Sequence, residues 1–242
     1  FMMPKRIAAT PADTAITEFI GSGPFRFVTE EYQPGVKSVY EKFADYVPRS
    51  EAPSWLAGGK VVKVDRVEWT AMPDAQTAMN AIQSGEIDYL EAPPIDLLPL
   101  VEGNDELTVK RLSPLGSQTM GRMNFLYPPF DNKKIRQAAL KAMNQKDVLD
   151  AFIGNPEYYT ICGAFFGCGT PFESSAGSES LTGSGDVEGA KALLKEAGYD
   201  GTPVVILQPT DVTTTKAQPV VAANALRAAG FTVELQPMDW QT

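Results

Sequence analysis

Histidine is missing from this chain of 242 residues, and its absence excludes several kinds of active site. Catalytic serine–histidine–aspartate and cysteine–histidine arrangements need an imidazole to move the proton, so neither is formed within the chain. Most catalytic zinc sites and two-histidine iron sites also depend on imidazole ligands. We therefore expect no metal site and no other cofactor, and the sequence points to no catalytic residue.

The chain also has fewer basic than acidic residues and lacks long hydrophobic runs. The chain has 21 Lys and Arg residues against 30 Asp and Glu residues, for a net charge of −9. Proteins bind nucleic acids and anionic lipids largely through Lys and Arg, so we expect no nucleic-acid partner. No stretch approaches the ~18–20 apolar residues that a membrane span needs. The first residues lack the basic and apolar regions of a signal peptide, so we expect a mature chain or a piece of a longer protein.

Cysteine is scarce as well. The two cysteines, Cys162 and Cys168, lie in the glycine-rich stretch ICGAFFGCG. Five residues separate them, whereas a thioredoxin-like pair has two residues between its cysteines, and a structural zinc site needs four ligands. A disulfide or two free thiols remain. Gly163 and Gly167 let the loop curl, so we favour the disulfide and an oxidising compartment. The alternative is a pair of buried thiols in a cytosolic protein.

Hydrophobic periodicity predicts an α/β fold with two strand–helix–strand units. In the first unit, alternating apolar residues predict a strand in 60–72. Asp74 can then cap a helix that ends near Gly85. The stretch 86–91 is typical of a short second strand. The second unit is expected in 203–235, where two apolar strands flank a helix with a proline in its first turn.

Two further strands and two capped helices are predicted between these units. The strands correspond to 107–112 and 119–127; in the second of them, side chains of different polarity alternate between the two faces. Asp131 is expected to cap one helix and Asp186 the other, because an aspartate side chain can accept the free amide hydrogens of a first helical turn. Gly198 is expected to end the second of these helices.

Four stretches, in chain order, resemble one protein family. They are IGSGPFRF, VEWTAMPDAQTAMNAIQSGEIDY, MNFLYPPFDNKKIRQAALKAMNQKDVLDAFIG and AKALLKEAGYDG. The family is that of the extracellular solute-binding proteins of the peptide and nickel ABC importer type, the dipeptide- and oligopeptide-binding family. The match extends from Gly21 to Trp240. It departs from the family at KFADYV, where members often carry Arg-Asn-Pro-x-Tyr-Trp and this chain keeps only Asp45 and Tyr46.

The resemblance implies a two-lobe architecture like that of periplasmic binding proteins, with mixed sheets and an incomplete chain. Residues 1–88 are expected to form part of lobe I, and residues 89–242 most of lobe II. The predicted hinge, where the chain passes between the lobes, comprises Gly85, Glu86, Ile87 and Asp88.

The function implied by the resemblance is that of the substrate-binding component of an ABC importer. Such a protein captures a peptide-like or other small polar solute by closing its lobes. It then delivers the solute to the permease subunits in the membrane. It is not an enzyme, it is expected to be a monomer, and it acts in the periplasm or outside the cell in association with the membrane.

Five residues are candidates for contact with the ligand. The resemblance places one strand near the cleft, and Gln118, Arg122 and Asn124 lie on it or just before it. Phe165 and Phe166, inside the cysteine loop, are predicted to present an aromatic wall. Each prediction has a plainer alternative: Asn124 satisfies its own turn, Arg122 pairs with a carboxylate, and the two phenylalanines belong to a satellite core.

Two other functions fit parts of the sequence. Glu86 and Asp88, two positions apart on one face of a strand, would lie about 6–7 Å apart at the backbone, so a hydrolase with paired carboxylates is one alternative. No second chemical element converges on that pair. The other alternative is a sensor or scaffold domain that reuses the binding fold without transport.

Overall fold

Each half of the chain has a sheet of its own. The structure is a computed structural model that describes residues 2–54, 56–179, 181, 183–212 and 214–242. The chain divides into two compact units, Phe1–Glu91 (the N-terminal unit) and Ala92–Thr242 (the C-terminal unit).

The described residues form the α-helices α1 (Lys5–Ala8), α2 (Ala75–Ser84), α3 (Lys133–Ala142), α4 (Gln145–Phe152), α5 (Val187–Glu196) and α6 (Gln218–Ala228). They form the strands β1 (Phe25–Phe27), β2 (Lys37–Lys42), β3 (Arg66–Thr70), β4 (Val204–Pro209) and β5 (Val233–Met238). Short 3₁₀ helices occur at Thr29–Glu31, Ile95–Leu100 and Pro156–Tyr158. The predicted α/β class is confirmed. None of the helices formed by the described residues has the length and apolarity that crossing a membrane requires.

An antiparallel sheet of β1, β2 and β3 organises the N-terminal unit, with β2 in the centre. Phe27 of β1 pairs with Tyr40 of β2, and Val39 of β2 pairs with Glu68 of β3. Val39 is fully buried, and the ring centroids of Phe27 and Tyr40 lie 5.5 Å apart. Such cross-strand pairs fix the register, because a slip by one residue would turn Val39 to the opposite face.

The helix α2 begins and ends where the sequence predicts. The carboxylate of Asp74 accepts a hydrogen bond from the backbone N–H of Thr77 at 2.7 Å and so caps the first turn. Gly85 ends the helix in the left-handed conformation with φ of 72°, which costs a glycine little. Met79 and Ala78 are buried on one face of the helix. The predicted helix is confirmed.

Three predicted strands are wrong. The segments 86–91, 107–112 and 119–127 form no strand, so the first predicted strand–helix–strand unit lacks its second strand. The strand predicted in 60–72 is present only as β3. A strand forms where its backbone groups pair with those of a neighbour. Among the described residues, these three segments pair with no strand.

The second predicted strand–helix–strand unit is confirmed in the C-terminal unit. β4 and β5 pair in parallel, with Val204 beside Val233 at one end and Pro209 beside Met238 at the other. α6 makes the crossover that a parallel pair requires. Pro219 lies in its first turn, where the missing N–H of proline leaves no helical hydrogen bond unmade.

The main core of the C-terminal unit lies where α3, α5 and α6 meet the β4–β5 pair. Its small residues allow close approach of the helices, since Ala138, Ala190 and Ala223 are fully buried. The cluster of buried residues comprises Ile135, Ala138, Ala139, Ala142, Ala190, Leu194, Val204, Ala223, Leu226, Ala229, Phe231 and Val233. The inward faces of these three helices therefore follow the predicted 3.6-residue period.

Of the two predicted N-terminal caps, the cap of α5 is confirmed and the cap of α3 is wrong. Asp186 caps α5 by accepting from the backbone N–H of Gly189 at 2.8 Å, as predicted. The residue that caps α3 is Asn132, which accepts from the N–H of Lys134 at 2.9 Å; the predicted cap, Asp131, is its neighbour. Asn and Asp are about equally good caps, so a sequence with the two side by side does not distinguish them.

Candidate ligand-binding site

The two cysteines form a disulfide. Cys162 and Cys168 are bonded, and their Cα atoms lie 5.8 Å apart, within the usual range for a disulfide. The favoured pairing is confirmed, and the alternative of two free thiols is wrong. Residues 162–168 therefore form a closed ring, which we call the disulfide loop.

Side chains outside the ring also hold the disulfide loop in place. Gln145, the first residue of α4, donates from Nε2 to the carbonyl oxygen of Cys162 at 2.6 Å and accepts from the Cys162 N–H at 2.8 Å. On the other side, the Thr170 hydroxyl donates to the carbonyl oxygens of Phe166 and Gly167 at 3.2 and 3.0 Å. The backbone of the loop is thus fixed by both covalent and hydrogen bonds.

One predicted ligand residue contacts this loop directly. Gln118 donates from Nε2 to the carbonyl oxygen of Ala164 at 3.2 Å, across 46 positions of sequence. Ala164 itself is buried, with 5% of its surface exposed. Two segments that are distant along the chain are therefore in contact: the segment of Gln118 and the loop that contains Phe165 and Phe166.

The aromatic residues of the loop point into solvent. Phe165 is 77% exposed and Phe166 is 63% exposed, and their rings meet edge to face with centroids 5.1 Å apart. A third ring, that of Phe172, is 73% exposed and lies 6.0 Å from Phe166. Side chains of a satellite core would be buried. The alternative that Phe165 and Phe166 belong to such a core therefore does not agree with their exposure.

Arg122 and Asn124 lie on the surface of the segment that follows Gln118. The Asn124 side-chain oxygen accepts a hydrogen bond from the N–H of Leu126 at 3.2 Å. This is the contact expected under the alternative in which Asn124 stabilises its own turn. Among the ion pairs that the described residues form, none includes Arg122, so its guanidinium has no carboxylate partner there. A ligand role for either residue stays a prediction.

The predicted hinge residues follow the end of α2. The backbone N–H groups of Glu86 and Ile87 donate to the carbonyl oxygen of Ala81 at 2.9 and 3.4 Å, which closes the helix just past Gly85. Glu86 and Asp88 are exposed and belong to no strand. The strand-face spacing on which a paired-carboxylate hydrolase would depend is therefore absent.

Sequence reasoning missed several polar and aromatic residues next to the disulfide loop. Tyr159 donates its hydroxyl proton to Asp150 at 2.6 Å, and Tyr158 donates to Glu102 at 3.2 Å. The hydrogen bond to Asp150 raises the pKa of Tyr159, and the bond to Glu102 raises the pKa of Tyr158. Both tyrosines therefore stay neutral donors. The signal that was overlooked is the adjacent pair of tyrosines just before Cys162, together with Phe172 just after it.

One cavity of the C-terminal unit lies between α4 and α6. Its volume of about 210 Å³ is smaller than the ~300–1,000 Å³ usual for ligand pockets. Its lining residues are Met143, Asn144, Asp147, Val148, Val221, Asn224 and Ala225, and none of them is a predicted ligand residue. Within the described part of the chain, no group of three or more His, Cys, Asp or Glu side chains is placed to hold a metal ion.

The sequence matches a family and two curated relatives over most of its length. The profile of the bacterial extracellular solute-binding proteins, family 5 Middle, matches residues 2–242. The chain is 43% identical to the probable peptide ABC transporter periplasmic-binding protein y4tO of Sinorhizobium fredii, over 99% of this chain and 46% of that protein. It is 32% identical to the glutathione-binding protein GsiB of Pectobacterium atrosepticum, over 81% of this chain and 36% of that protein. The chain thus spans less than half the length of these relatives.

A solved structure shares the fold. The putative peptide binding protein AppA of Clostridium difficile matches with a TM-score of 0.64, over 99% of this chain and 47% of that one. The two sequences are 22% identical, so this likeness concerns architecture alone.

Proposed function

Because the chain belongs to the bacterial extracellular solute-binding proteins of family 5, we propose that it is part of the substrate-binding component of an ABC importer. The protein captures a small solute outside the cytoplasm and delivers it, unaltered, to permease subunits in the membrane. The observation that carries this proposal is the 43% identity, across 99% of the chain, to a protein named for peptide ABC transport. The disulfide agrees with an oxidising compartment.

The ligand is a peptide or a peptide-like solute. One relative is named for peptides and the other for glutathione, which is itself a short peptide with free carboxylates. A ligand of this kind needs a cation for its carboxylate, donors and acceptors for its amides, and an apolar surface for its side chains. The candidate residues of the C-terminal unit offer each of these chemistries.

Three polar residues of the segment 118–124 have free groups for such a ligand. Arg122 is exposed, and none of the ion pairs among the described residues includes it, so its planar guanidinium can bind a carboxylate with two parallel hydrogen bonds. Asn124 uses its oxygen for the Leu126 N–H but keeps its two amide donors. Gln118 gives one donor to Ala164 and keeps its side-chain oxygen as an acceptor.

Ligand capture follows from closure of two lobes about a hinge. We assign residues 1–88 to part of lobe I and residues 89–242 to most of lobe II, with Gly85, Glu86, Ile87 and Asp88 as the hinge. Gly85 supports this assignment because its left-handed backbone ends α2 and tolerates large changes of direction. A ligand that touches both lobes shifts the population toward the closed state. The protein acts as a monomer and carries out no reaction on its ligand.

A binding experiment tests this function. Short peptides are titrated into the longest form of the protein that contains this chain, and the melting temperature and Kd are measured. A peptide present at about 100 times its Kd stabilises the folded state by about 2.7 kcal/mol. Arg122→Ala should weaken binding of peptides with a free carboxylate and leave C-terminally amidated peptides unaffected, whereas Lys133→Ala, which removes an exposed cation on α3, should change neither.

Two results contradict the proposal. One is the absence of any thermal stabilisation by peptides, glutathione, opines or sugars in the longest form of the protein. The other is hydrolysis of chromogenic glycosides that is lost in Glu86→Gln, since that result would favour the carboxylate-pair alternative.

A further inference from the structure

Three phenylalanines around the disulfide loop form one exposed apolar surface, which we call the aromatic platform. Phe165, Phe166 and Phe172 are each more than 60% exposed, and the ring of Phe166 lies 5.1 Å from one of the others and 6.0 Å from the second. Isolated exposed apolar residues are common on protein surfaces, but a contiguous aromatic group usually marks a contact surface. Aromatic rings in this arrangement offer both faces and edges to a further apolar group.

The platform is rigid at its base. The disulfide, the paired hydrogen bonds between Gln145 and Cys162, and the Thr170 hydroxyl all fix the backbone that carries these rings. The N–H of Gly169 also donates to the Glu173 carboxylate at 2.8 Å, beyond the ring. A surface ordered before binding loses little entropy when a ligand arrives, so exposed rings on a fixed backbone suit recognition.

One of the predicted polar residues contacts the backbone that carries the platform. Gln118 bonds to Ala164, the residue directly before the first ring of the platform. Arg122 follows Gln118 by four positions, so the Cα atoms of these two residues lie at most about 14 Å apart. A peptide of two to four residues has a similar length. One such molecule can therefore place an apolar side chain on the rings while its carboxylate approaches Arg122.

We propose that the aromatic platform of Phe165, Phe166 and Phe172 binds an apolar side chain of a short peptide whose carboxylate pairs with Arg122. This inference rests on the proposed function and adds the class of ligand: short peptides with an aromatic or large aliphatic side chain. The rings favour peptides with an apolar side chain. The guanidinium of Arg122 contributes equally to the binding of every peptide that has a free carboxylate.

Two matched tripeptides test the platform. Isothermal titration gives the Kd of Gly-Phe-Gly and of Gly-Gly-Gly for the longest form of the protein that contains this chain, and the ratio of the two measures the preference for an apolar side chain. In the double variant Phe165→Ser/Phe172→Ser this ratio should fall about tenfold, because stacked aromatic contacts and their buried area contribute roughly that factor. The Kd of Gly-Gly-Gly should stay unchanged.

Three further variants distinguish the contribution of the aromatic platform from that of Arg122. Phe43→Ser, which removes an exposed phenylalanine of the N-terminal unit, should leave the ratio at its wild-type value. Phe165→Leu/Phe172→Leu, which keeps the apolar character, should retain most of the preference. Arg122→Ala should weaken both peptides by the same factor.

The outcomes distinguish this inference from the function on which it rests. If peptides bind but the double serine variant keeps the wild-type ratio, the platform does not touch the ligand and the inference is overturned while the function stands. If that variant loses thermal stability without ligand and keeps the ratio, the rings are covered by protein, which also overturns it. If the wild-type protein binds no peptide at all, the proposal that its ligand is a peptide fails, and this inference fails with it.

Discussion

Replacing Cys162 and Cys168 by serine removes the disulfide, and the cost follows from the size of the ring that it closes. The cysteines are six positions apart, so the ring contains about seven residues. In the chain-entropy model, a ring of about seven residues removes about 8 cal/mol/K from the unfolded chain, which corresponds to about 2 kcal/mol at 25 °C. The hydrogen bonds of Gln145 and of Gln118 to the loop involve backbone atoms and amide side chains, not sulfur. We therefore expect the folded loop to keep its conformation and the loss to arise in the unfolded state.

Urea unfolding followed by far-UV circular dichroism measures this loss. The midpoint of the double variant should fall while the slope m stays the same, because the surface exposed on unfolding changes little. Wild-type protein unfolded in a thiol reductant should follow the curve of the variant. A loss above about 4 kcal/mol, or a changed m, would show that the folded loop depends on the sulfur bridge. A loss below about 0.5 kcal/mol would refute the entropic reasoning.

Three other predictions concern the caps, the core and the charges. Asn132→Ala should lower the free energy of unfolding by about 1 kcal/mol, and Asp131→Ala should leave it nearly unchanged; equal effects in urea unfolding would contradict the assignment of the cap. Leu194→Ala, deep in the main core, should cost about 3 kcal/mol in the same assay, and a cost under about 1 kcal/mol would mean that the core is not packed as described. The hydrogen bond from Arg66 lowers the pKa of Glu31, so this stabilisation is present above the ordinary pKa of a glutamate and is lost as the pH falls through the lowered value. Arg66→Gln should therefore flatten the fall in stability as the pH drops below the ordinary pKa of a glutamate, and an unchanged pH profile would exclude that pair as its source.

Helices and the second crossover could be predicted because their signals are local. The cap at Asp74, the left-handed Gly85 and the apolar stripe of α2 all lie within one short stretch of chain. The same holds for α6, where Pro219 marks the first turn. The unit from β4 to β5 was predictable as well, since two apolar strands with one helix between them are joined by a single crossover and become parallel neighbours.

Strands predicted from alternation alone failed for a different reason. The residues of 107–112 and 119–127 have the composition of strands, but a strand also needs a hydrogen-bonding neighbour. Periodicity carries no information about whether such a neighbour is present. The wrong cap at Asp131 is a smaller error of the same kind, because the choice between two adjacent good caps depends on where the chain turns.

The candidate site was predictable only in part. Gln118 was proposed because the family resemblance places its segment near the cleft, and Phe165 and Phe166 because they lie inside the cysteine loop; a ligand role for all three stays a prediction. Gln145 was missed because nothing in its own surroundings indicates that its amide bonds the backbone of Cys162.

By itself, the sequence indicated the family, the α/β class and the positions of α2, α3, α5 and α6, and it favoured the pairing of Cys162 with Cys168. The family follows from motifs in order along the whole chain, and the other features depend on residue types at short spacing, where the chain can bend in few ways. Only the tertiary structure decided that Gln118 bonds the disulfide loop, that the loop turns its rings to solvent, and that Arg122 has no carboxylate partner among the described residues. These facts join residues far apart along the chain, and their separation in space is set by packing and hydrogen bonds that no local pattern contains.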